Sequence, residues 1–170
     1  LMLGTEKARI RAMREPADIY VINRENVEWL VAFYAGAWPF DMVIIDELSS
    51  FKSPKSKRFK ALRMVRPKMQ RVVGLTGTFR PNGLIDIWSQ MYLLDRGERL
   101  GDSVTKYRNK YFKAVSKQGH IVYKYGLKQE EDIDLYGRDI NEKEIYQKIG
   151  DICISMQAKD YLQLPERLDR

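Results

Sequence analysis

Two adjacent carboxylates, Asp46 and Glu47, close the short apolar run Met42-Val-Ile-Ile45. Acids placed there are costly unless a cation or a hydrogen-bond network meets them. One member of such a pair can hold magnesium while its neighbour orients an attacking water, the arrangement by which nucleotide hydrolases cleave phosphates. The second stretch with chemical potential is Gly74-Leu-Thr-Gly-Thr78, again behind an apolar run. Thr76 and Thr78 offer hydroxyls on either side of Gly77, whose backbone is unhindered. Alone, an Asp-Glu pair is usually a solvated loop and Thr-Gly-Thr a common β-to-α turn. Other chemistries are thinly supplied. His120 is the single histidine, which excludes histidine-based metal sites and argues against a serine triad. Cys153 is the single cysteine, so there is neither a disulfide framework nor a zinc cluster. Acid–base work falls to carboxylates.

The elements that must position these residues follow from the hydrophobic pattern. Met42 to Asp46 reads as a buried strand of a parallel sheet, and the C-terminal end of such a strand is where open α/β sheets place ligands. Ile19–Ile22 and Arg71–Leu75 read as further strands, all three adjacent or nearly so. Thr5 caps a helix running to Arg14, which Pro16 ends. Asn23 precedes a helix with Val27, Leu30, Val31 and Tyr34 on one face, stopped by Gly36 and Pro39. Ser53 and Pro54 open a helix to Arg66 that sets Phe59, Leu62 and Val65 against Lys57, Lys60 and Arg63 on the opposite side. Asn82-Gly83 opens another, with Leu84, Ile87, Trp88, Met91 and Leu94 at helical spacing. Trp88 and Met91 read as core rather than ligand contacts. Strands alternating with helices over 5–95 predict right-handed βαβ crossovers. Beyond Gly97 the pattern predicts a helix from Val104 to Val115 and a hairpin pairing Ile121–Tyr125 with Ile133–Tyr136. A last helix near Asn141 buries Ile145, Ile149 and Ile152.

The 170 residues fit a domain with a real core, and no apolar run approaches the ~20 residues of a membrane span. The net charge is +7, unevenly spread. From Leu48 through Ile85 there are ten Lys or Arg and no acid; against the total of +7, those ten leave the remainder at −3. A basic block directly after the carboxylate pair suggests a polyanion partner, although a lone Lys-rich helix is more often a solvated face.

Together, the two motifs resemble those of a superfamily 2 helicase or translocase. The match is closest to the Swi/Snf-like branch and the helicase-like proteins of phages and prophages. Val43-Ile-Ile-Asp-Glu47 corresponds to motif II, and Leu75-Thr-Gly-Thr78 with Asn82 looks like motif III. Asn23-Arg-Glu-Asn26 is similar to the segment turned toward DNA. Lys159-Asp160 and Leu164-Pro165 resemble the exit from the first lobe. The resemblance implies an α/β fold: part of a RecA-like parallel sheet flanked by helices, with a helix-and-hairpin appendage. It divides the chain into 1–97, the later part of lobe 1; 98–140, the appendage; and 141–170, a helix leading toward a second lobe. It implies ATP and Mg2+ as cofactors, Asp46 holding magnesium through water, and Glu47 polarising the hydrolytic water. Ser49, Thr76, Gly77 and Thr78 would couple nucleotide state to grip on nucleic acid. Asn23, Lys52, Lys57, Lys60, Arg63, Arg80 and Asn82 would contact the backbone of double-stranded DNA, in a cytoplasmic setting without a membrane. Two positions depart from the pattern: Ser49 stands where the DEAH box has histidine, and Phe79 where motif III has proline. No Gly-x-x-x-x-Gly-Lys-Ser/Thr phosphate loop and no second lobe occur in the 170 residues. The expectation is therefore a fragment of a longer motor, inactive by itself. Two alternatives share the features: the motor lobe of a restriction translocase, and a non-enzymatic basic nucleic-acid-binding module with a degenerate nucleotide fold. A Rossmann-like domain with a solvated basic helix would leave both motif matches to coincidence.

Overall fold

In the computed structural model, which describes residues 1–80, 83–118, 121–128 and 140–156, the two motif-bearing strands lie side by side. Met42–Ile45 (β1) pairs in parallel with Arg71–Gly74 (β2), so that Ile45 faces Gly74 and both chains leave the sheet at the same end. The order of helices explains the crossover. Glu6–Arg14 (α1) is capped by Thr5, whose hydroxyl accepts from Ala8 N, and Val27–Tyr34 (α2) ends at Ala35 in the left-handed region. Lys57–Val65 (α3) returns the chain from β1 to β2, and Ile87–Asp95 (α4) follows β2. Val104–Tyr111 (α5), the antiparallel pair Phe112–Gln118 (β3) and Ile121–Leu127 (β4), and Ile140–Ile149 (α6) complete the order. The architecture is mixed α/β, with one small parallel and one small antiparallel sheet flanked by helices.

The core gathers Val31, Phe59, Leu62, Val65, Ile87, Trp88 and Met91 against the inner face of the parallel sheet, where Ile45 is buried and Val43 and Val72 pack on it. Gly74 is required by a close approach: a Cβ there would stand 2.4 Å from Leu48 Cδ2. The opposite face of the sheet is open along β1, while Val73 of β2 is partly buried. Met42 is 48% and Ile44 61% exposed, so the expectation of a strand buried on both faces is corrected. Parallel sheets normally have both faces covered, and β1 departs from that on this side.

Other local expectations shift for identifiable reasons. Ile19–Ile22 is not a third sheet strand: Ile22 makes a single parallel bridge to Met2, and Ile19 is 79% exposed, with no neighbouring strand to bury it. The cap of α3 is Ser56, accepting from Phe59 N, not Ser53; the hydroxyl of Ser56 also donates to Ser53 O, so the residues between form a turn. A 3-10 turn, Leu84–Asp86, precedes α4, which therefore starts later than Gly83. The helix after Gly97 stops at Tyr111, and its expected last turn is β3 instead. The partner of β4 is thus Phe112–Gln118, with Phe112 opposite Leu127, while Ile133–Tyr136 lies outside the described residues. Tyr107, Tyr111 and Phe112 carry the reason: they root this junction in the core, with the Tyr107 hydroxyl donating to Leu84 O at 2.8 Å. Ile145 and Ile149 of α6 are buried as expected, but Ile152 falls beyond the helix and is 37% exposed.

Candidate functional site at the end of the parallel sheet

Because β1 and β2 run in parallel and in register, the residues after each strand meet. Leu75 N donates to Ile45 O at 2.9 Å, and Leu48 N donates to Leu75 O at 2.8 Å. Between these clasps Glu47 takes a left-handed backbone, φ 55° and ψ 60°, unusual for a residue with a side chain. Such a conformation persists only where its surroundings over-determine it. Here Glu47 N donates to Asp46 Oδ1 at 3.0 Å, and the Glu47 carboxylate is gripped from both strand ends. Thr76 Oγ1 donates to Glu47 Oε1 at 3.0 Å, and the Ser49 hydroxyl donates to the same oxygen. Thr78 N in turn donates to Thr76 Oγ1 at 3.2 Å, closing the threonine loop on itself.

Asp46, Glu47, Ser49, Thr76 and Thr78 are therefore one connected group. Gly77 sits in it with nothing within 4 Å of where a Cβ would be. Phe79, in the position that departs from the motif, packs its ring against the core, and its carbonyl accepts from Gln90 Nε2 at 3.0 Å. Gln90 is fully buried, and its amide also donates to Asp86 O. This anchor on the loop, set by a residue twelve positions beyond Thr78, carries no motif signal in the sequence.

The electrostatics favour an ionised Glu47. The Ser49 hydroxyl, then the Thr76 hydroxyl, hold its carboxyl below the usual carboxylate range; slight burial opposes them and Arg24 adds a smaller pull. Arg24 was not among the sequence candidates, though its neighbour Asn23 was. A lowered folded-state pKa stabilises the fold above the ordinary carboxylate pKa, and that contribution is lost as pH falls through the lowered value. Thr76→Val should accordingly raise the Glu47 titration midpoint in carbonyl-carbon NMR. Its stability deficit relative to wild type should narrow in acid. An unmoved Glu47 midpoint would show that the hydroxyl contact has no electrostatic weight.

The basic candidates fall into two sets. Lys57 and Lys60 are exposed on α3 with no ion-pair partner among the described residues, and Asn23 is exposed ahead of the 3-10 turn Arg24–Asn26. Lys52 is half-buried, and its carbonyl accepts from the Ser89 hydroxyl. Arg63 and Arg80 are exposed but engaged with other parts of the chain. The Arg63 guanidinium lies 4.6 Å from the Tyr92 ring centroid and donates to Asp102 O, while Arg80 pairs with Glu142 at 2.9 Å. Asn82 lies outside the described residues, as do His120, Lys159-Asp160 and Leu164-Pro165.

Magnesium accepts one or two carboxylates and keeps several waters alongside substrate phosphates, so a single exposed Asp46 suits a water-mediated contact. Among the described residues no group of three or more His, Cys, Asp or Glu could enclose a metal by itself. A cation here would complete its shell with water or phosphate oxygens.

No family model matches the chain, and no solved structure matches it. It is 33% identical over 171 residues to protein p41 of Acyrthosiphon pisum secondary endosymbiont phage 1, an alignment covering 97% of this chain and 35% of p41. A shorter match, 40% identical over 63 residues, joins 37% of this chain to 2% of Helicase ssl-1 from Caenorhabditis elegans. The chain thus spans about a third of the length of its phage relative.

Proposed function

We propose that these residues form part of the first lobe of an ATP-driven motor on nucleic acid, a helicase or translocase of the Swi/Snf-like kind with a RecA-like sheet. The observation that carries this reading is the hydrogen bond from Thr76 to Glu47 across adjacent parallel strands. It links a carboxylate suited to orienting water with a loop suited to sensing what Glu47 is doing. The local match to Helicase ssl-1 supports the same reading, and the similarity to p41 supports a phage relationship.

In this reading ATP with Mg2+ is the fuel, and the bound metal would neutralise charge developing on the phosphates. Asp46 would hold the metal through water. Glu47, kept ionised by Ser49 and Thr76, would orient and polarise the attacking water. Movement of Thr76 away from Glu47 would be transmitted to the Thr78–Phe79 backbone that Gln90 holds. Lys52, Lys57, Lys60 and Asn23 would meet the phosphates of double-stranded DNA, giving affinity without sequence choice. The bare sheet face at Met42 and Ile44 would receive the polypeptide carrying the phosphate loop, with a second lobe supplying arginines. A cytoplasmic setting belongs to the proposal; no described helix is long and apolar enough to cross a membrane.

The test is phosphate release with and without duplex DNA, on the 170-residue chain and on a longer protein that includes it. The longer protein should show DNA-stimulated turnover and the chain none, since lost arginine fingers alone cost on the order of 10³-fold. Turnover by the chain itself would mean that the phosphate site has been misplaced.

A further inference from the structure

A second basic segment lies apart from the sheet end. From Ser103 to Lys128 the chain has seven Lys or Arg and no acid. The structure folds this segment into α5 and the β3–β4 ribbon, and it sorts the cations into two groups. Those near the root are occupied: Lys110 pairs with Glu144 at 2.6 Å, Lys128 Nζ donates to Asn109 O, and Arg108 lies 5.5 Å from the Tyr125 ring centroid. Lys106 lies 3.8 Å from Asp102. The three lysines on the ribbon are different. Lys113, Lys117 and Lys124 are exposed, and none has a carboxylate or hydrogen-bond partner among the described residues.

The ribbon presents all three to solvent, and the register puts Lys113 and Lys124 on one face. Lys113 pairs opposite Gly126, and Lys124 lies on the same side of β4 as Gly126 because strand side chains alternate; Lys117 pairs opposite Val122, beyond a further register shift. The other face carries Tyr125, which packs toward the core under Arg108. The register shifts between Ala114 and Ser116 and again between Ser116 and Lys117, irregularities that bend a ribbon, and Val115 closes over Gly126. Seven residues of β3 reach roughly 23 Å. A two-stranded ribbon of this kind can lie along or within the ~12 Å major groove of a duplex.

We infer that the β3–β4 ribbon, through its exposed Lys113, Lys117 and Lys124, is a second nucleic-acid contact, binding the phosphate backbone independently of α3. Charge complementarity selects the partner: three exposed ammonium groups with no carboxylate partner among the described residues suit a polyanion with regularly spaced charges. The inference rests on the proposed motor function only in choosing DNA as that polyanion.

The experiment uses the whole 170-residue chain and a mixed-sequence duplex, with binding measured from 50 to 200 mM salt. The variant is Lys113→Gln/Lys117→Gln/Lys124→Gln. The control, Lys7→Gln/Arg11→Gln/Arg14→Gln, removes the same charge from exposed positions of α1. Three lost phosphate contacts should flatten the salt slope by about 2.7, so wild type should lose about 40-fold more affinity than the ribbon variant over that range. The α1 control should keep the wild-type slope. A third variant, Lys57→Glu/Lys60→Glu, separates the two ideas. If it leaves binding unchanged while the ribbon variant flattens the slope, the α3 surface fails and the ribbon stands. Equal slopes for the ribbon variant and wild type would overturn the inference, as would tighter binding to polyglutamate than to DNA.

Discussion

Glu47→Gln, introduced into the longer protein proposed to be a motor, is expected to leave ATP binding near wild type and to lower DNA-stimulated turnover by about 10²-fold or more. The size follows from losing a positioned proton acceptor, which typically contributes 10²–10⁴-fold. The substitution is informative because of how Glu47 is held. An amide oxygen can still accept from Ser49 and Thr76, so the left-handed backbone and the clasp between the strands should survive. What disappears is the negative charge that those two hydroxyls keep in place. Ser49→Ala should behave differently, because it removes one of two donors and leaves the carboxylate; a loss well short of that for Glu47→Gln is expected. The measurement is steady-state phosphate release together with ATP affinity from nucleotide titration. Full turnover with Gln at this position would remove Glu47 from the chemistry. An equal fall in ATP affinity would instead make it a binding residue.

The largest effect on stability should come from Arg66→Met. This arginine sits in the basic block that suggests a polyanion partner, yet it is 5% exposed and faces inward. Its guanidinium donates to Leu93 O and Leu94 O at the end of α4, and to Met69 O at 3.0 Å. The last carbonyls of a helix have no partner within it, so Arg66 satisfies groups that would otherwise be buried and orphaned. Methionine fills part of the volume but donates nothing. Each orphaned carbonyl costs about 1–3 kcal/mol, and with incomplete additivity the expected loss is about 3–5 kcal/mol. Arg66→Lys should recover only part of it, since one ammonium cannot reach three carbonyls in the planar fork. Urea unfolding of the 170-residue chain tests this through the midpoint at constant slope. A loss below about 1 kcal/mol would show that solvent replaces the arginine.

Arg66 also shows why the site was more legible than its surroundings. Asp46-Glu47 and Thr76-Gly-Thr78 each stand behind an apolar run, and a strand followed by a polar cluster is readable locally. That β1 and β2 would be neighbours followed from one intervening helix and the handedness of such crossovers. The ten basic residues of 48–85, in contrast, look alike in sequence. Only contacts with distant elements divide them: Arg66 caps α4, Arg63 stacks on Tyr92, Arg80 pairs with Glu142, and Lys57 and Lys60 stay in solvent. The ribbon was misread for the same kind of reason. Lys113 to Lys117 continues the composition of α5, and nothing local says that Phe112 turns inward and ends the helix.

What the sequence determined by itself was the chemistry available and the periodicity of each strand and helix, because both depend on residue type and near spacing. It determined the helix stripes that became core, Phe59, Leu62 and Val65 among them, and the two motifs at the sheet end. The tertiary structure alone decided that Ile19–Ile22 stays outside the sheet and that β4 pairs backward with β3. It also decided that Gln90 steadies Phe79 and that β1 is left open on one face. Each of these is a long-range choice. It is made by which surfaces remain to be buried and which backbone groups remain to be paired once the local elements exist, and no window of sequence contains that competition.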